Sequence, residues 1–128
     1  MRPPPDSRAW IDVSTTALRA NLRQVVEAVG PDPWVVPMVK ADGYGLGALD
    51  VVRALQPLAP AAWGVASVDE GIALRDGGVV GPIIVFSPTP RQTLRAAVEF
   101  DLALAVSDLD ALEALIRTAE RRGRRARV

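Results

Sequence analysis

Trp34-Val35-Val36-Pro37-Met38-Val39-Lys40, running into Ala41-Asp42-Gly43-Tyr44-Gly45-Leu46-Gly47, is the stretch on which the fold turns. Its first six residues form a short apolar run, partly β-branched, that stops at a polar, glycine-rich turn. Such a run reads as a strand. Side chains alternate along a strand, so Val36, Met38 and Lys40 share one face and Val35, Pro37 and Val39 the other. Lys40 closes the run and sits at its carboxyl end. Pro37 has no N–H for a ladder, which is unusual for a central strand. Helical periodicity resumes at Leu49, Val52 and Leu55. Glycine at 43, 45 and 47 lets the backbone turn tightly and approach a ligand, and the amides opening the next helix are placed to face an anion such as phosphate.

Three further runs repeat the pattern: Ala62–Ala66, Pro82–Phe86 and Leu102–Val106. The four runs start 28, 20 and 20 residues apart, room for one helix in each interval. Leu18, Leu22, Val25, Val26 and Val29 form a helical stripe before the first run, and Leu109, Leu112, Leu115, Ile116 and Ala119 one after the fourth. All of these read as core. Ser67-Val68-Asp69-Glu70 and Thr89-Pro90-Arg91-Gln92 have the form of capping boxes, which assigns Asp69 and Glu70 to a helix start. Ser107-Asp108-Leu109-Asp110 opens the last helix, and Gly77-Gly78 and Gly123 mark helix ends. Repeated βα units imply a parallel sheet with helices outside. The fold class is therefore α/β, the N-terminal half of a (β/α)8 TIM-type barrel, whose closed form takes eight strands and about 250 residues. Arg124-Arg125-Ala126-Arg127-Val128 reads as the approach to a fifth strand. The expected organisation is one partial barrel domain over residues 1–128, a truncated unit with open sheet edges.

Composition removes whole classes of chemistry. The 128 residues contain no His and no Cys, so imidazole ligands, Ser-His couples, thiolates, zinc knuckles and disulfides are excluded. Fifteen basic residues balance fifteen acidic ones, giving no global attraction to nucleic acid or anionic membrane. The Arg-rich tail from Arg121 to Arg127 has no interleaved aromatics and reads as cations at a helix C-terminus. Met1-Arg2-Pro3-Pro4-Pro5-Asp6 has no apolar stretch suited to export, and no run approaches a spanning helix, so the expected compartment is the cytoplasm. Lys40 is the only lysine; the other 14 basic residues are arginine. Arginine replaces lysine on solvated surfaces but not where an amine must lose its proton and attack a carbonyl. Tyr44 is the only tyrosine, its hydroxyl suited to a phosphate oxygen or to the edge of a core.

Val39-Lys40-Ala41-Asp42-Gly43-Tyr44-Gly45-Leu46-Gly47 resembles the pyridoxal-phosphate attachment motif of the alanine racemase family. Trp10-Ile11-Asp12-Val13-Ser14, with Ala17-Leu18 and Asn21-Leu22, is similar to that family's opening strand and first helix. Ala66-Ser67-Val68-Asp69-Glu70-Gly71, Leu74-Arg75 and Gly78, and then Pro82-Ile83-Ile84-Val85-Phe86, are similar to its next segments. The resemblance runs through nearly all of this chain and about the first third of a typical member. It implies pyridoxal 5'-phosphate as cofactor, a Schiff base to Lys40, a second role for Lys40 as one of two bases exchanging the substrate α-proton, and a phosphate contact by Tyr44. It implies an isomerase interconverting L- and D-alanine, for D-alanine biosynthesis and the cell wall, working as a homodimer. The opposing tyrosine base comes in that family from the C-terminal β domain of the partner subunit, and no residue here is assigned to it. Leu46 departs from the family, many members having His there, and Pro37 departs from an ordinary strand residue. The alternative reading is a noncatalytic pyridoxal-phosphate-binding module or a gene remnant.

Overall fold

The computed structural model describes residues 8–128; the proline-rich start lies outside the described residues. Its centre is a three-stranded parallel sheet in the order β1 (Trp63–Val65), β2 (Ile83–Val85), β3 (Ala103–Leu104). Helices α1 (Thr15–Val29), α2 (Ala48–Leu55), α3 (Val68–Asp76), α4 (Leu94–Glu99) and α5 (Leu109–Arg121) surround it. The α/β class and the sequential parallel order are those expected of a half-barrel. The strands are shorter than the apolar runs that predict them, each run losing residues at both ends or, in β3, mainly at its carboxyl end.

The first run departs most from expectation. Trp34–Val39 is not a strand. It is an extended segment joined to β1 by a single parallel bridge, Met38 to Gly64. Val39 N–H donates to the Gly64 carbonyl at 2.8 Å, and Gly64 N–H donates to the Pro37 carbonyl at 2.9 Å. One step further back, the ladder would need an N–H on residue 37, and proline has none. On the opposite edge, Arg127 bridges Ala103 in parallel, and Leu104 N–H donates to the Arg127 carbonyl at 3.0 Å. The tail does approach a fifth strand.

The register places Met38, Gly64, Ile84, Ala103 and Arg127 in one row across the sheet. Their neighbours Val39, Val65, Val85 and Leu104 face the helices and are at most 2% exposed, packed with Leu74 and Leu115. Burying each such side chain contributes about 1.5–3 kcal/mol. The Met38 row is the face a closed barrel would turn inward. Met38 lies over Gly64, where an added Cβ would collide with its sulfur.

Local signals explain the helix ends. Ser14 Oγ accepts from Ala17 N–H and opens α1; Asp108 accepts from Ala111 N–H at 2.7 Å and opens α5. Gly77 and Gly123 follow α3 and α5 as expected. The Thr89 box does not form. Pro90 caps a 3-10 turn, Arg91–Thr93, before α4 begins, and Thr93 bonds back to Pro90. Thr89 Oγ1 is left buried without a partner. The stripe on α1 is mostly not core. Leu22 is buried and Leu18 partly so, but Val25, Val26 and Val29 are 44–47% exposed. On α5 likewise, Leu115 and Ala119 are buried while Leu109 and Ile116 are exposed. Trp10–Ser14, similar in sequence to an opening strand, is exposed and forms no strand or bridge among the described residues.

Arg75, on α3, closes the amino ends of the strands. Its guanidinium donates to the carbonyls of Phe100, Val79, Gly81 and Asp101 at 2.7–3.1 Å. Burial lowers its pKa from the ordinary arginine value, and the nearby Asp101 carboxylate acts in the opposite direction.

Candidate functional site

The carboxyl ends of the strands hold the predicted residues. Lys40 follows the bridged segment directly and is half-buried. From there the chain winds left-handed. Ala41, Asp42, Gly43, Tyr44 and Gly45 all have positive φ, between 49° and 82°. A left-handed turn costs L-residues about 1–2 kcal/mol each, so Ala41, Asp42 and Tyr44 store strain here. Glycine at 43 and 45 avoids it.

The turn is held by its own hydrogen bonds. Gly43 N–H donates to Val39 O at 2.9 Å, Gly45 N–H to Ala41 O at 3.0 Å and Gly47 N–H to Asp42 O at 2.9 Å. The Asp42 carboxylate accepts from Ala48 N–H at 2.8 Å, at the start of α2. One amide at that helix start, Ala48 N–H, is thus taken by the chain's own Asp42 side chain.

Lys40 and Tyr44 are brought together. The Lys40 Nζ lies 5.9 Å from the centre of the Tyr44 ring, within reach of a cation–π contact. The Tyr44 side chain is 62% exposed, so its hydroxyl is not consumed as a core edge. One amine and one phenol at the open end of a parallel sheet suit a small ligand that carries both a carbonyl and an anionic group. A cleft of about 400 Å³ lies behind the turn, lined by Val39, Asp42, Ala48, Leu49, Glu70 and Leu74 among others. Neither Lys40 nor Tyr44 lines it, so it is separate from the predicted pair. Among the described residues no group of three acidic side chains is arranged to hold a metal, and no helix is long and apolar enough to cross a membrane.

Sequence reasoning missed what Glu70 does. Half the capping box is present: Glu70 N–H donates to Ser67 Oγ at 3.2 Å. The reciprocal half is diverted. The Glu70 carboxylate accepts from Ala66 N–H and from Ala41 N–H, each at 2.7 Å. The second bond spans 29 residues and reaches the Lys40 turn. No local spacing announces a bond of that range.

The chain is similar to known proteins along nearly its whole length. The family described as "Alanine racemase, N-terminal domain" matches residues 13–128. Alanine racemase 1 of Oceanobacillus iheyensis is 35% identical over 120 residues, covering 94% of this chain and 32% of the relative. Alanine racemase of Geobacter sulfurreducens is 38% identical over 124 residues, covering 96% and 32%. Among solved structures, alanine racemase from Streptomyces coelicolor superposes with a TM-score of 0.80 at 35% identity, over 89% of this chain and 30% of that one. Alanine racemase of Clostridium difficile gives 0.81 at 28% identity, over 85% and 28%. The chain thus spans about a third of the length of the curated relatives it matches.

Proposed function

The chain belongs to the alanine racemase N-terminal-domain family, and from that premise we propose that it is the cofactor-bearing part of a pyridoxal-phosphate-dependent racemase. The reading covers residues 1–128 as a partial barrel domain whose complete form interconverts L- and D-alanine as a cytoplasmic homodimer. The observation that carries it is Lys40: the sole lysine, at the carboxyl end of the bridged segment, opening a strained turn that also presents Tyr44.

The residues present fit such a cofactor. An aldehyde needs a primary amine, and Lys40 supplies the only side-chain one. A phosphate needs donors in reach of solvent, and the Tyr44 hydroxyl is one. When bound, pyridoxal phosphate supplies an electron sink that acidifies the substrate α-carbon. The chain's own part is simpler. Lys40 would hold the cofactor's aldehyde through its amine, the only one on a side chain. Its Nζ would also hold a proton on one side of the substrate α-carbon. Tyr44 would hold the phosphate through its hydroxyl and so orient the cofactor. Inverting a stereocentre requires a base on each side, and we assign the second to a residue outside these 128.

The test is direct. The chain is incubated with pyridoxal phosphate, reduced with borohydride and mapped by mass spectrometry. The adduct is expected on Lys40. The only rival amine is the N-terminus, and an adduct there with Lys40 unmodified overturns the assignment.

A further inference from the structure

We propose that Glu70 is a positioning residue for Lys40, holding the amine where it reacts; the proposal rests on the reading of Lys40 given above. The Lys40 turn and the loop after β1 are neighbours at the carboxyl end of the sheet, and one carboxylate bonds both. Its two oxygens are divided between them. Oε1 takes Ala41 N–H and Oε2 takes Ala66 N–H, both at 2.7 Å. Ala41 is the residue directly after Lys40 and the first with left-handed φ. Its N–H is therefore fixed where the chain changes hand. The carboxylate is itself anchored, because Glu70 lies in the first turn of α3, whose start is capped by Ser67.

Charge and shape both matter in this arrangement. A carboxylate presents an acceptor on each side, and the two N–H donors approach it from two segments. Glutamine has the same size but only one acceptor oxygen; its NH2 would meet the second N–H donor to donor. Either Ala41 or Ala66 is then released. Among the described residues the Lys40 segment has one bridge to the sheet, Met38 to Gly64, and a longer bond further back, from Ala61 N–H to Val35 O at 3.3 Å. Pro37 has removed the next bond back. Glu70 therefore restores, beyond the end of the ladder, a link that proline denies before it.

Reductive methylation with 13C-formaldehyde tests this without any cofactor. Lys40 is the only lysine, so its dimethylated amine gives one side-chain NMR signal, distinct from the α-amine. That signal senses the Tyr44 ring 5.9 Å away. Glu70→Gln is expected to move it toward its position in Tyr44→Leu. Arg75→Lys, which loosens the other end of the sheet, is expected to leave it in place. An unmoved signal in Glu70→Gln overturns the proposal, and so does an equal movement in Arg75→Lys, which would reduce Glu70 to general stability. In parallel, borohydride trapping of pyridoxal phosphate on Lys40 is expected to slow roughly tenfold or more in Glu70→Gln, the scale of one lost bond to a charged group. Equal trapping rates in the two chains also overturn it. If the unsubstituted chain traps nothing on Lys40, the cofactor reading fails, and the NMR signal still decides the role of Glu70.

Discussion

Replacing Gly43 by alanine tests the left-handed turn most sharply. Gly43 has φ +66°, and a Cβ built there lies 3.2 Å from both Cα and N of Ala48 and 3.3 Å from Val51 Cγ2. Two of those atoms are backbone of α2 and cannot swing aside. An L-residue in this conformation costs about 1–2 kcal/mol. Forcing a methyl against fixed atoms adds about 1–3 kcal/mol. Restricting the unfolded chain returns about 0.4–1 kcal/mol. The balance is a loss of about 3 kcal/mol. Gly45→Ala is the matched control: its φ is +82°, yet nothing lies within 4 Å of its Cβ. Without the contact, the loss should be about 1 kcal/mol. The assay is urea unfolding of both variants, reading the midpoint at constant slope. If both lose the same stability, the packing of the turn against α2 is not as described and the reasoning fails.

Other outcomes follow from the same structure. Arg75→Met removes the donor to four carbonyls and is expected to lower stability by about 2–4 kcal/mol in the same assay; a change below half a kcal/mol would show that water replaces it freely. Tyr44→Phe, made in a complete homologous chain, should weaken cofactor retention by about 1.5–3 kcal/mol, measured by dialysis and absorbance; unchanged retention with abolished turnover would reverse the role assigned to it. The Glu99 carboxyl is held below the ordinary glutamate value, first by its hydrogen bond from Arg95 and also by nearby arginine charge. A lowered carboxyl pKa contributes stability above the ordinary value that is lost as pH falls through the lowered one. Arg95→Gln should therefore reduce stability at neutral pH and flatten its fall on acidification, read by unfolding midpoints across the acid range. The 128-residue chain alone is expected not to exchange the alanine α-hydrogen for solvent deuterium with inversion, since no second base is assigned within it; exchange at an enzyme-like rate would sink the two-base argument.

The strands and helices that alternate after residue 60 were legible because each apolar run is short and bounded by turn residues. The runs at 62, 82 and 102 all contain strands. The run at 34 failed as a strand for a reason visible in the sequence, Pro37, whose missing N–H stops the ladder. Periodicity overstated the core on α1 because it reports an apolar face without saying what covers it. Val25, Val26 and Val29 have helical spacing and remain exposed. At the site, Lys40 and Tyr44 were legible as unique residues in a motif. The handedness of the turn was less so: glycine at 43 and 45 hints at it, but Ala41, Asp42 and Tyr44 also adopt positive φ, and Ala41 is held there by a bond to Glu70 that no local spacing announces. Glu70 illustrates the same limit, a residue with a correct local reading whose main bond lies 29 positions away.

The sequential order of the sheet also has a consequence in time. Its pairings, Met38 with Gly64, Trp63 with Ile83, Ile84 with Ala103 and Ala103 with Arg127, join residues 26, 20, 19 and 24 positions apart. A ribosome adds about 5–20 residues each second. Each strand therefore waits only about one to five seconds for the next to be synthesised. Loops of similar length close at nearly equal entropic cost, so no pairing is disfavoured against its neighbours. The sheet can grow from its amino-terminal edge in the order of translation, and the segment that bears Lys40 is in place before the last strand has been made.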